Sequence, residues 1–451
     1  LVIGSGAGME VASDALSNGY KVAVVDKGPL GGTCLNLGCI PSKLIIFPSD
    51  RVAEIQNSKK LGVEADIKKI RFKEIMERMR TSIANDREQM RVGIKSTKNL
   101  DYYETTGYFV DDYTMDVDGK RIIGKKIFIA GGARPLIPNV KGLDKINYLT
   151  NESILELNEL PKSVVILGGG YIACEFGHFL AGMGSEVTIV QRNVRLLPNE
   201  EPETSELLIN EMSKRIKILT NTEVLEVSKK GELVYVIAKD RGSEKNIELS
   251  ADRLMIAGGR VSNSDLLKLQ NTGVETDDRG YIKVNEYLET SKENIWAFGD
   301  IIGKYMFRHT ANKEAVYAWH NSIHEKKIPM DYSAIPHAVF SYPEVASVGM
   351  TEKEAKKSHK ILIGYAKYNS VAKGIAMLED DAFAKAIVDR DTNKILGFHI
   401  VGPYASILIQ EVINAMANNM DLRAIYKSIH IHPALTELIP STLGNLMEPK
   451  D

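Results

Sequence analysis

The chain has 451 residues, with 57 Lys and Arg against 59 Asp and Glu for a formal net charge of -2, so no broad basic surface marks it for nucleic acid. At 44% hydrophobic and 26% charged residues its composition is ordinary and globular, and its length calls for two or three domains. No apolar run approaches the roughly 18 residues of a membrane span, and three cysteines make no disulfide scaffold, which points to a reducing, cytoplasmic setting.

The numbering opens at Leu1, inside what reads as a strand, so a preceding segment, with or without a targeting signal, is expected to be missing. Residues 1–26, LVIGSGAGMEVASDALSNGYKVAVVD, read as strand, glycine turn, helix and strand, closing on Asp26 with Lys27 beside it. In such a unit Gly4, Gly6 and Gly8 allow a tight turn and bring backbone N–H groups to a pyrophosphate. The helix N-terminus adds a favourable dipole, and the terminal acid takes a ribose hydroxyl. An ordinary strand-to-helix turn uses the same residues.

The stretch GGTCLNLGCIPSK, residues 31–43, carries Cys34 and Cys39. Three readings compete. Two small buried hydrophobes are one. A metal site is another, but no His/Cys cluster of zinc-like spacing follows. The third is a redox pair: irregular chain at a helix start brings the sulfurs together, and the macrodipole and Lys43 stabilise a thiolate. Residues 50–100 are charged and helical in pattern, a solvent-facing helical pair.

Residues 163–192, SVVILGGGYIACEFGHFLAGMGSEVTIVQR, repeat the first layout. Gly19 to Asp26 and Gly184 to Gln191 are both seven residues, whereas Gly4 to Gly19 is fifteen and Gly168 to Gly184 sixteen. The first glycine turn is therefore read as one residue short, with Gly8 opposite Ala173. Two such units imply two dinucleotide sites. Gln191 stands where the first unit has Asp26, followed by Arg192 and Arg195. Without the acid a 2′-phosphate is not repelled, and a guanidinium can bind it, so NADP(H) is favoured over NAD(H). The alternative is that both arginines solvate a loop. Cys174, in mid-helix, is expected in the core.

Further on, WHNSIHEKK places His320 and His324 at i, i+4, a spacing able to bind metal. No acid or cysteine completes the set, so a solvated helix face and no metal are expected. The segments AFAKAIVDR and KILGFHIVG, followed by a helical stretch at 405–419, suit an antiparallel sheet with helices. Near the end, His432 and Glu437 are five apart with Pro433 between them, so a turn can bring the carboxylate to the imidazole.

GGTCLNLGCIPSK resembles the redox-active segment of the flavin-dependent pyridine nucleotide–disulfide oxidoreductases, the class I family of dihydrolipoamide dehydrogenase and the glutathione, mycothione and mercuric reductases. The likeness runs over nearly the whole chain. IAGGARPLIP, with Ala130, Gly131 and Gly132, resembles the strand returning from the flavin domain. ENIWAFGDIIG, with Gly299 and Asp300, resembles the segment that reaches the ribityl chain. PHAVFSYPEVASVGMTEKEA and IHIHPALTELI resemble the start and end of the dimerisation domain.

The resemblance implies FAD, held also by Gly32 and Thr33 and by Thr310 and Ala311 of FRHTA. It implies a nicotinamide site at Gly168, Gly170, Tyr171, Ile172, Gln191, Arg192 and Gly259. Cys39 would be the thiol next to the flavin and Cys34 the one that meets substrate. Lys43 would lie beside the flavin, paired with Glu175, and Tyr171 would be an aromatic lid over the nicotinamide pocket. His432, oriented by Glu437, would exchange a proton with Cys34 of the opposite subunit, which implies a homodimer with shared sites. His430 is expected to be structural.

The fold class implied is α/β: two Rossmann-like dinucleotide-binding domains and a C-terminal α+β dimerisation domain. Their expected bounds are 1–134 with 262–332 for FAD, 135–261 for NAD(P), and 333–451 for dimerisation. The function implied is transfer of electrons between NAD(P)H, FAD, Cys34–Cys39 and a small dithiol or disulfide. Dihydrolipoamide dehydrogenase is placed first, a reading that brings a lipoyl-bearing protein as partner. An NADPH-dependent reductase of a glutathione- or mycothiol-like disulfide is second; Arg192 and HPALTE favour it. The ending LGNLMEPKD has no cysteine pair, which disfavours mercuric reductase and large thioredoxin reductases. A non-enzymatic electron-transfer flavoprotein would need neither the thiols nor the His432–Glu437 pair.

Overall fold

In the computed structural model, which describes residues 1–449, three sheets organise the chain. The last two residues of the expected third domain, 450 and 451, lie outside the described residues. The first sheet is parallel, with strands in the order Ile295–Ala297, Ile127–Ile129, Val2–Ile3, Val22–Asp26 and Leu100–Glu104. Its inner strands, VI, VAVVD and IFI, are apolar because helices cover parallel sheets on both faces, whereas the edge strand LDYYE is partly exposed. The second is also parallel: Lys217–Leu219, Glu186–Val190, Ser163–Leu167, Arg253–Ile256. A three-stranded antiparallel sheet, Thr222–Lys230, Leu233–Asp240 and Asn246–Ala251, accompanies it.

The two parallel units repeat one another in atomic detail. Gly4 N donates to Val25 O at 2.9 Å and Gly168 N to Val190 O at 3.0 Å. A Cβ on Gly4 would meet Ala130 O at 2.2 Å, and one on Gly168 would meet Ala257 O at 2.2 Å; both residues have positive φ. At each site the turn brings backbone against the next strand, so only glycine fits. The helices that follow the two turns are Gly8–Ser17, of ten residues, and Tyr171–Met183, of thirteen. Gly8 and Ala173 both pack inward: a Cβ on Gly8 would meet Val2 Cγ1 at 2.7 Å, and Ala173 is fully buried.

The chain crosses between these units twice, at Ala133–Pro135 and Arg260–Ser262, and the crossings pair antiparallel. The third sheet is antiparallel, ordered Pro336–Val339, Val345–Gly349, Ile395–Val401, Phe383–Asp389, Ile361–Lys367, with helices Ala405–Leu408 and Gln410–Ala417 beside it.

A helix seam and an ionic knot are among the contacts that join the units. The helix Cys39–Asn57 lies along Tyr171–Met183, where Ser49 Oγ donates to Phe179 O at 3.1 Å and Asp50 meets His178 Nε2 at 2.8 Å. The expected solvent-facing pair at 50–100 is thus half correct. Phe72–Ser96 is amphipathic, burying Phe72, Met76, Met79 and Ile83, but the other member continues the thiol-bearing helix into the core. The second contact is an ionic knot. Lys385, on the third sheet and 2% exposed, reaches Glu201 at 2.6 Å, Glu203 at 3.0 Å and Glu352 at 2.7 Å. A buried ammonium so paired orients one unit on another more than it stabilises either.

A Cβ on Gly182 would lie 2.7 Å from Ser49 Cβ. Gly182→Val should therefore overpack the helix seam and cost about 1–3 kcal/mol, read as a lower midpoint in denaturant unfolding.

Candidate redox-active site

Gly31 and Gly32, both at positive φ, turn the chain from the second strand into the short helix Gly32–Leu37. That helix stops at Gly38, and Cys39 opens the next one. The break lets Cys34 and Cys39, five positions apart, face each other, which an unbroken helix would forbid. Both are thiols in this structure, Cys34 half-buried and Cys39 exposed.

The pair is electrostatically unequal. Cys34 donates its hydrogen to Cys39, and this bond, aided by the Lys43 charge against burial and Glu175, pulls the Cys39 thiol down to about 7. The same bond, then burial and the charge on Cys39, pushes Cys34 up, opposed by Arg308. One proton thus stays on Cys34 while Cys39 becomes the thiolate. Lys43 is one helical turn beyond Cys39, and its ammonium meets both Glu175 oxygens, at 2.8 and 3.0 Å. Phe340 of the third sheet closes this arrangement: its N–H donates to Glu175 Oε1 at 3.1 Å, and its ring lies 4.4 Å from the Lys43 ammonium.

The first glycine turn forms a backbone-only cradle beside the thiols. A Cβ on Gly32 would lie 2.7 Å from Gly6 Cα, whereas Gly132 faces open space. Asp26 accepts the backbone N–H groups of Ser5 and of Gly28 (2.9 Å for the latter), which aims the carboxylate across the turn; Lys27 is exposed. Asp300 lies 3.5 Å from Arg260 Nε, and burial pushes its carboxyl up. Gly299 N donates to buried Glu314 at 2.7 Å. Thr310 and Ala311 are buried at the start of helix Arg308–Ile323, and the Thr310 hydroxyl has no partner. A glycine cradle, a carboxylate pushed up by burial and an orphan hydroxyl are donor and acceptor groups that fit a flavin dinucleotide. Gly4, Gly6, Gly8, Gly32, Thr33, Ala130, Gly131 and Asp300 would hold it.

In the second unit Gly170 also faces open space. Tyr171 and Ile172, half-buried, begin the following helix. Gln191 is buried against the glycine turn, since a Cβ on Gly169 would meet its side chain at 2.8 Å. Arg192 and Gly259 are exposed.

His432 Nδ1 meets Glu437 Oε1 at 2.9 Å, and Ala434 N donates to Glu437 Oε2 at 3.0 Å. The bond to His432 draws the Glu437 carboxyl below its usual range. The imidazole is 74% exposed, and Ile429 and Ile431 beside it are exposed too. His430 pairs with Glu411 at 2.9 Å. Cys174 is fully buried. The His320 and His324 rings lie 4.3 Å apart, outside any three-residue ligand group among the described residues. Sequence reasoning did not pick out Phe340, Arg308, Arg260 or Glu314. Arg308 lies within FRHTA and Phe340 within PHAVFSYPEVASVGMTEKEA, but the contacts of all four join distant segments, which neither motif reveals.

The description "Pyridine nucleotide-disulphide oxidoreductase" matches residues 1–315, and its dimerisation domain matches residues 335–442. The chain is 32% identical over 461 residues to mycothione reductase of Mycobacterium tuberculosis, covering 99% of this chain and 98% of that one. It is 35% identical over 448 residues to dihydrolipoyl dehydrogenase of Bacillus subtilis, covering 97% and 94%. Among solved structures it is similar to the HOCl-induced flavoprotein disulfide reductase RclA from Escherichia coli, with TM-score 0.87, 27% identity and 98% of each chain covered.

The chain belongs to the pyridine nucleotide–disulfide oxidoreductase family. It is a flavin-dependent disulfide oxidoreductase that works with FAD and NAD(P)H, and it carries the family's dimerisation domain. Among the described residues no helix is long and apolar enough to cross a membrane.

The thiol inequality has a direct test. The ultraviolet thiolate absorbance of the reduced protein should rise with a midpoint near the value of about 7 for Cys39. In Cys34→Ala, which removes the main cause, the midpoint should move up towards the ordinary thiol value of about 8.5.

Proposed function

We propose that the chain exchanges electrons between a nicotinamide dinucleotide and a small dithiol or disulfide through Cys34 and Cys39, as a dihydrolipoamide dehydrogenase. The observation that carries this reading is the polarised thiol pair, one thiol held protonated and the other near neutrality. Bound FAD supplies two-electron transfer between the nicotinamide and this pair. In the dithiol form Cys34 loses its proton and attacks a substrate disulfide, releasing one substrate thiol. Cys39 then displaces the second substrate thiol from the mixed disulfide, closing Cys34–Cys39; the dehydrogenase direction runs this exchange backwards. Lys43, held by Glu175, keeps positive charge beside the Cys39 thiolate. Tyr171, at the start of the second unit's first helix, covers the nicotinamide face.

Cys34 needs a base, because its raised pKa leaves little thiolate near neutrality. We assign that base to His432, oriented by Glu437. The exposure of the pair, beside bare Ile429 and Ile431, supports its serving the opposite subunit of a homodimer. His432→Ala should leave reduction by the nicotinamide nearly intact and cut disulfide turnover by about 10²-fold or more. Mixing it with Cys34→Ser subunits should restore part of the turnover through hybrid dimers. Undiminished turnover in His432→Ala would remove the dyad from the mechanism.

A second reading, an NADPH-dependent reductase of a glutathione- or mycothiol-like disulfide, draws on Gln191. Its neutral side chain lies against the glycine turn where the first unit presents Asp26, with the Arg192 side chain free to meet a 2′-phosphate. A charge-assisted contact there is worth about 1.5–3 kcal/mol, or about 10- to 150-fold in favour of NADPH. Gln191→Glu with Arg192→Ala should shift selectivity to NADH, chiefly through the KM for NADPH. Turnover of NADH and NADPH with lipoamide, glutathione and mycothiol-type disulfides separates the readings. Efficient lipoamide turnover with NADH supports the dehydrogenase; preference for a thiol-peptide or thiol-sugar disulfide with NADPH overturns it.

A further inference from the structure

Tyr171 is not free to move. Its hydroxyl donates to Glu200 Oε1 at 3.3 Å. Its ring stacks on Phe307 at 5.9 Å and on His337 at 5.6 Å, and those two rings stack on each other at 5.4 Å. Three segments far apart in sequence supply this cluster: the helix start at Tyr171, the loop ending at Phe307, and the strand Pro336–Val339.

Glu200 is the hub. His337 Nε2 lies 2.6 Å from its Oε1, and Ser347 Oγ donates to its Oε2 at 2.6 Å. His337 and Ser347 are cross-strand partners in the third sheet, so they stand side by side and span the two carboxylate oxygens. Ser347 in turn meets His399 Nδ1 at 3.0 Å, and His399 Nε2 reaches Met350 O at 3.1 Å. Burial pushes the Glu200 carboxyl up, but the bonds from His337 and Ser347 outweigh it and hold the group at about 2. The carboxylate is thus an acceptor only, aimed at the Tyr171 hydroxyl. Burial, and then the Glu200 charge, push the phenol up, so it keeps its proton for the bond. Nothing in the thiol chemistry uses Glu200 or His337.

We propose that Glu200 and His337 are positioning residues for the nicotinamide site, latching the Tyr171 ring closed through its hydroxyl and its face, so that the C-terminal sheet sets the cost of opening. This rests on the placing of Tyr171 over the nicotinamide given above. A dinucleotide that must displace the ring binds with an apparent affinity reduced by the fraction of time the ring is open. Releasing the latch therefore tightens binding, the reverse of what loss of an ordinary contact does.

The test uses the holoenzyme: dissociation constants of NADP⁺ and NAD⁺ are read by titration calorimetry, and flavin reduction by NADPH and NADH is read by anaerobic rapid mixing. Tyr171→Phe removes only the hydroxyl and should lower the Kd of the preferred dinucleotide by about 3- to 10-fold. That is less than a full charge-assisted bond, because the freed hydroxyl otherwise finds water. Glu200→Gln should act in the same direction, and the double variant should bind no more tightly than Tyr171→Phe alone, since both remove one bond. Reoxidation by the disulfide should be unchanged throughout. Additive effects, an unchanged Kd in Tyr171→Phe, or a Glu200→Gln defect shared by both half-reactions would overturn the latch. Tyr171→Phe decides the matter even if Glu200→Gln fails to fold. Tyr171→Ala checks the underlying placement: if it changes neither binding nor flavin reduction, Tyr171 does not cover the nicotinamide. If it changes them while Tyr171→Phe does not, the placement stands and the latch alone is lost.

Discussion

The ion pair between Lys43 and Glu175 is where the chain's three units meet. Lys43 comes from the thiol-bearing helix, Glu175 from the helix of the second glycine unit, and Phe340 of the third sheet covers both. Glu175 is buried, so its charge needs a partner, and Lys43 supplies it only in the register where the two helices now dock. Ser49 against Phe179 O and Asp50 against His178, two turns further along, hold that register. The consequence falls on Cys39, one turn before Lys43, which receives a fixed positive charge. That charge adds to the hydrogen bond from Cys34 in making it the acidic thiol of the pair. Packing between units and chemistry within the site are thus one arrangement.

The two glycine turns apply the same physics at different sites. Each places a positive-φ glycine within bonding reach of the next strand, leaving backbone N–H groups and a helix start as the only features at the turn. What differs is the residue closing each second strand. Asp26 is held by two backbone donors and projects a charge across its turn. Gln191 lies neutral and buried, its amide donating to Arg195 O at 3.4 Å.

The C-terminal sheet contributes more than an interface. Lys385 draws three glutamates onto one ammonium, and His337 and Ser347 clasp Glu200, the neighbour of Glu201 in that knot. The segment 200–203 is therefore tied at two successive residues to a sheet more than a hundred positions later. Ionic and hydrogen-bonded ties of this kind add little net stability, but they admit few alternative arrangements.

Local pattern in the chain determined the two strand–glycine–helix–strand units, the thiol segment, the break that lets the thiols face each other, and the His432–Glu437 turn. Those features are written over short stretches because φ, helix starts and turns depend on near neighbours. The tertiary structure decided the rest. It placed Glu175 on Lys43, set Phe340 over both, turned the helix at 39–57 inward rather than to solvent, and gathered Phe307, His337 and Glu200 around Tyr171. Each of these joins segments far apart in the chain, where a side chain's partner depends on how whole sheets and helices dock. No local spacing carries that information.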